Sequence, residues 1–99
     1  TYVIVNEYRR PDAQRLCHVD AYRLENTFDA EFLDFDRTLV QGPVVIEWPE
    51  RIKGILPENR LWVSLQYTGV EHRAMMLTPA GDRYLRMVEK LRRKYYGDF

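Results

Sequence analysis

Pro43-Val44-Val45-Ile46-Glu47-Trp48-Pro49 is the stretch on which the fold turns. Three consecutive β-branched residues stand between two prolines and end abruptly in an acid and a tryptophan. An unbroken apolar run this short reads as a strand buried on both faces, the pattern of a parallel sheet. Upstream lies a helix. Asn26 or Thr27 is suited to its N-cap, and Phe28, Phe32, Phe35 and Leu39 follow at helical spacing as a continuous core stripe. Asp29, Glu31, Asp34 and Asp36 occupy the other face, and Gly42-Pro43 ends the helix.

Working outward, Tyr2–Tyr8 and Arg15–Asp20 read as two strands around an Arg9-Arg10-Pro11-Asp12 turn. Residues 49–57 are irregular or a short helical turn. Leu61, Val63, Leu65 and Tyr67 alternate with polar positions, so they predict a half-buried strand. Gly69 marks a turn, and His72–Leu77 returns antiparallel. Thr78 as N-cap and Pro79 at the first helical position open a last helix, with Asp82 in its first turn. The expected fold is a single α/β domain over residues 1–99 with a mixed sheet. Residues 1–78 form its body and 79–99 a basic amphipathic helix.

Composition narrows the function. High apolar content with zero net charge excludes disorder. No apolar run approaches the roughly 20 residues of a membrane span. Cys17 is the single cysteine, which excludes a disulfide framework and reads as a buried thiol in a reducing, cytoplasmic setting. Charge is unevenly placed. Residues 1–50 hold ten acids and five arginines, a net of −5; residues 51–99 hold ten bases and five acids, a net of +5. The split fits an acidic functional edge and a basic contact face, or two solvated surfaces of one fold.

Two acids sit where strands end. Asp20 follows Leu16-Cys17-His18-Val19, and Glu47 follows Val44-Val45-Ile46. Ligands of open α/β sheets bind at the carboxyl ends of strands, where a carboxylate can hold Mg²⁺ or orient a water. Each is equally readable as a turn or cap residue. Trp48 can stack on a base or serve as a rim residue. His18 and Asp20 alternate onto one strand face, as a metal pair or with His18 behind the acid. No Cys/His cluster completes a zinc site. The basic helix, with Arg92, Arg93, Lys94 and the following Tyr95-Tyr96, can bind a phosphate backbone or be a solvated face. None of the five glycines precedes a lysine, so the phosphate-cradling G-x-x-x-x-G-K-[ST] does not occur in these 99 residues.

Taken in order, Thr1-Tyr2-Val3-Ile4-Val5-Asn6-Glu7-Tyr8, His18-Val19-Asp20-Ala21-Tyr22-Arg23-Leu24 and Val45-Ile46-Glu47-Trp48-Pro49-Glu50-Arg51 resemble the TsaE (YjeE) family. The resemblance runs from residue 1 to about residue 78. It implies a P-loop NTPase-like mixed sheet with flanking helices, and an ATPase that serves threonylcarbamoyladenosine modification of tRNA. It implies ATP and Mg²⁺ as ligands, TsaB and TsaD as partners, and tRNA reached through that complex. By the resemblance, Thr1 senses Mg²⁺ and the terminal phosphate, and Asp20 holds Mg²⁺ through water. Glu47 positions the attacking water, Trp48 lies by the nucleotide, and Tyr22 and Arg23 are structural or partner-facing. Asp34 stands where the family commonly has glycine. The family's phosphate loop lies upstream of this match. The expectation is therefore a C-terminal portion of such an ATPase, with an exposed sheet edge and no ATP binding or hydrolysis by itself. The alternative is a non-catalytic α/β adaptor that binds RNA or protein through its basic helix.

Overall fold

The computed structural model describes residues 4–24 and 33–97. The chain divides into two compact units, Thr1–Leu56 and Pro57–Phe99. In the first, β1 (Ile4–Arg9) pairs antiparallel with β2 (Arg15–Asp20), and β2 pairs parallel with β3 (Val44–Glu47), in the order β1-β2-β3. The β1–β2 turn is closed by local polar groups. Arg10 N–H donates to the Gln14 carbonyl (2.8 Å), Gln14 N–H donates to Asp12 Oδ1 (3.1 Å), and Arg10 pairs with Asp12 (2.8 Å). The mixed sheet predicted from Val44–Ile46 is present.

The helix before β3 is shorter than its apolar stripe predicts. α1 spans Phe35–Gln41, and Asp34 before it takes a left-handed backbone (φ 43°, ψ 72°) that no helix can run through. Asp tolerates that region better than most residues. Thr38 Oγ1 donates to the carbonyls of Leu33 (2.9 Å) and Asp34 (3.1 Å) and secures the start. Phe35 is buried, whereas Leu39 is 40% exposed, so the stripe is not core throughout. Asn26, Thr27, Phe28 and Phe32 lie outside the described residues.

One face of the sheet is covered. Val19 is buried, and Ala21, Leu24, Phe35 and Ile52 form a core with Leu33, Val44, Ile46, Ile55 and Leu56 packed against it. Each fully buried aliphatic side chain contributes about 1.5–3 kcal/mol. The expected burial of β3 on both faces is corrected: Val45 points to the other face and is 51% exposed. Parallel pairing and double-sided burial are separate properties. The described residues supply the first without a layer over the second face. A 3₁₀ segment, Pro49–Ile55, follows β3 and kinks at Ile52 (φ −128°), which drops its side chain into the core.

In the second unit, β4 (Arg60–Tyr67) and β5 (Arg73–Ala80) form an antiparallel hairpin with Leu65 opposite Met75. α2 (Asp82–Tyr96) packs against β5. The helix start is corrected. Thr78 and Pro79 continue β5, opposite Trp62 and Leu61, and Gly81 (φ 97°) caps the helix. Proline lacks an N–H, which a strand without a neighbour on its other side does not require. The half-buried reading of β4 holds only near α2. Leu61 is partly buried, while Leu65 and Tyr67 at the far end are exposed, because one helix cannot cover the whole ribbon.

Candidate functional site

β2 and β3 run parallel, so their carboxyl ends emerge side by side. Asp20 is the register partner of Glu47, and His18 that of Val45. Residues in register share a face and alternate along a strand. Thus His18, Asp20, Val45 and Glu47 lie together on the open face, while Val19 and Ile46 point into the core. The Ala21 N–H donates to the Glu47 carbonyl (3.0 Å), carrying the ladder one step past both acids.

Each carboxylate has one oxygen anchored. Asp20 Oδ1 accepts the Tyr22 N–H (3.0 Å), closing an Asx turn at the strand end. Glu47 Oε2 lies 3.0 Å from His18 Nε2. His18 reaches it diagonally, since Glu47 is two residues beyond its register partner Val45. The other two oxygens, Asp20 Oδ2 and Glu47 Oε1, have no partner among the described residues. These are hard oxygen donors, suited to Mg²⁺, which takes one or two carboxylates and completes its shell with water and phosphate. Among the described residues no group of three or more His, Cys, Asp or Glu forms a metal cage. The donor set therefore fits a metal shared with a substrate rather than a closed structural site.

Trp48 turns the chain sharply out of β3. Its backbone is left-handed (φ 59°, ψ 48°), which costs a non-glycine residue about 1–2 kcal/mol. The side chain is held against Tyr22, with ring centroids 4.9 Å apart and planes inclined by 60°. Arg51 lies over the other ring, its guanidinium carbon 5.6 Å from the Tyr22 centroid. Trp48 and Tyr22 are about half exposed, so the pair forms an aromatic ledge beside the two acids. Stacking by Tyr22 and Arg51 is not read from the sequence. The D-x-Y-R and W-P-E-R spacings mark both residues, but only the parallel β2–β3 pairing joins them.

The remaining expectations fall as follows. Thr1 lies outside the described residues. Cys17 is half-buried, and burial first, then the Glu7 carboxylate, raises its thiol above the ordinary range. That keeps it a thiol rather than a nucleophile. His72 belongs to the other unit, where its carbonyl accepts the Thr68 N–H across the hairpin turn (3.1 Å). On α2, Arg83, Arg86, Lys90 and Lys94 are exposed, as are Tyr95 and Tyr96. Glu89 pairs with Arg92 and Arg93, and its hydrogen bond from Arg92 holds its carboxyl below the usual carboxylate range. Among the described residues no helix is long and apolar enough to cross a membrane.

Residues 1–75 match the family described as "Threonylcarbamoyl adenosine biosynthesis protein TsaE". The chain is 33% identical over 94 residues to the tRNA threonylcarbamoyladenosine biosynthesis protein TsaE of Bacillus subtilis (strain 168), covering 94% of this chain and 58% of that protein. It is 35% identical over 68 residues to the protein of that name from Haemophilus influenzae, covering 68% of this chain and 42% of that one. The chain thus spans about half the length of these curated relatives. It also resembles a crystal structure of Bacillus subtilis YdiB, with a TM-score of 0.74 and 30% identity, over 92% of this chain and 56% of that one. The expected α/β, P-loop NTPase-like architecture is thereby shared with a solved relative. With three-quarters of its residues inside the family match and both strand-end acids within them, the chain belongs to the TsaE family.

Proposed function

We propose that this chain provides the metal- and water-facing side of a TsaE-type ATPase that supports threonylcarbamoyladenosine modification of tRNA in the cytoplasm. The observation that carries this reading is the register pairing of Asp20 with Glu47 at the ends of parallel β2 and β3. Asp20, with Oδ1 anchored on the Tyr22 N–H, would hold Mg²⁺ through water by its other oxygen. When bound, the ion would offset charge on the terminal phosphates of ATP. Glu47 offers Oε1 to a water and orients it for attack, so positioning supplies most of its contribution. The Trp48–Tyr22 ledge borders the nucleotide. Thr1 would sense Mg²⁺ and the terminal phosphate. TsaB and TsaD are the proposed partners, and tRNA is reached through them.

The test uses the full-length product of the gene that encodes these residues, with phosphate release and nucleotide binding measured in parallel. Glu47→Gln is expected to lower turnover about 100-fold, within the range for a positioned acid–base group, and to change ATP binding little. Asp20→Asn is expected to weaken Mg²⁺-dependent nucleotide binding about tenfold. Unchanged turnover in both variants would overturn the assignment.

A further inference from the structure

The Glu47 carboxylate is the group on which water positioning rests, yet its own strand does not fix it. It stands at the end of β3 on the open face, with its side chain 57% exposed. A glutamate there has three rotatable bonds, and with more than half of the side chain open to solvent its rotamer is weakly held by packing alone. What restrains it is His18, on the neighbouring strand and partly buried, through the 3.0 Å contact between Nε2 and Oε2. An ionised carboxylate has no proton to give, so the Nε2–H donates.

We infer that His18 is a positioning residue for Glu47: by donating from Nε2 to Oε2 it aims Oε1 at the attacking water. The inference rests on the proposed role of Glu47 and adds a residue to it. Three features support it. His18 sits on β2 between its register partners Asn6 and Val45, so its backbone is held by ladders on both sides. Glu47 lies two residues beyond Val45, which places the carboxylate within reach of the ring tip while Asp20, directly opposite, is occupied by the Tyr22 N–H. The contact engages one carboxylate oxygen and leaves the second without a partner among the described residues, as water orientation requires. A bidentate partner would block both oxygens; an apolar neighbour would hold neither.

The experiment uses the same full-length protein. His18→Ala is expected to lower kcat for ATP hydrolysis 10–100-fold with KM for ATP within about twofold, the usual size for loss of a supporting hydrogen bond. His18→Gln, whose side-chain amide can present an N–H near the position of Nε2, is expected to recover most of that loss. In a Glu47→Gln background, His18→Ala is expected to cost little more, because the two act as a unit. Without nucleotide, the ring ¹⁵N resonances of His18 should show a protonated Nε2, and Glu47→Ala should shift that resonance. Full additivity with Glu47→Gln, no rescue by glutamine, or an Nε2 resonance indifferent to Glu47→Ala would each overturn the inference. If Glu47→Gln lowers turnover and His18→Ala does not, this inference alone fails. If Glu47→Gln leaves turnover intact, the proposed function of the site fails with it.

Discussion

Replacing Gly42 by alanine drives a methyl group into the β2 backbone. A Cβ built there lies 2.0 Å from the Arg15 carbonyl oxygen and 3.0 Å from its carbonyl carbon. Both atoms are main chain, so no side chain can swing aside. An ordinary carbon–oxygen contact is about 3.3 Å, so the strands must separate locally by about 1.3 Å. That breaks the bond from the Cys17 N–H to the Pro43 carbonyl (3.0 Å), the first across the β2–β3 seam, and weakens the next. Two such bonds are worth about 2 kcal/mol net. Gly42 also has φ 157° and ψ −179°, a region almost reserved for glycine, which adds about 1–3 kcal/mol. The expected loss is about 3–5 kcal/mol. With a urea slope of about 1.5 kcal/mol per molar, the midpoint falls by at least about 2 M. Urea titration followed by Trp48 fluorescence in a Trp62→Phe background reports on the first unit. Gly69→Ala, followed by Trp62 fluorescence in a Trp48→Phe background that reports on the second unit, is the control: its Cβ meets the His72 side chain at an ordinary 3.5 Å, and it should change stability by less than about 0.5 kcal/mol. A loss below about 1 kcal/mol for Gly42→Ala would refute the close approach, and with it the seam that aligns Asp20 with Glu47.

Two further outcomes follow from packing and titration. Ile52→Ala removes three carbons from a fully buried site, about 2.4 kcal/mol by transfer and about 3–4 kcal/mol with the cavity, whereas Val45→Ala on the open face should cost under about 1 kcal/mol; equal losses in the same titration would contradict the one-faced burial of β3. Because burial and Glu7 raise the Cys17 thiol, its thiolate fraction at pH 8 is below that of free cysteine. Iodoacetamide should therefore react more slowly, with a midpoint above the ordinary thiol range that moves down in Glu7→Gln, and a midpoint at or below that range would refute the assignment.

Local chemistry made much of this legible. Val44–Ile46 marks a strand that pairs parallel, and the Asp20 and Glu47 positions follow from where apolar runs stop. The hairpin around Gly69 and the basic amphipathic helix after it need only short-range patterns. The expected helix start at Thr78-Pro79 shows the limit. Cap and proline chemistry favoured a helix there, but pairing with Leu61 and Trp62 kept both residues in β5 and left the cap to Gly81. The described end of the stripe, Phe35 and Leu39, shows the same limit, since periodicity does not register the left-handed Asp34 at which α1 begins.

The sequence by itself determined the element types, the family motifs and the two acids, because each depends on residues close in the chain. Tertiary structure alone decided which of them meet. That His18 contacts Glu47, that Tyr22 stacks on Trp48, and that Val45 faces outward all depend on the register between β2 and β3. Register joins residues nearly thirty positions apart, and no local pattern specifies it.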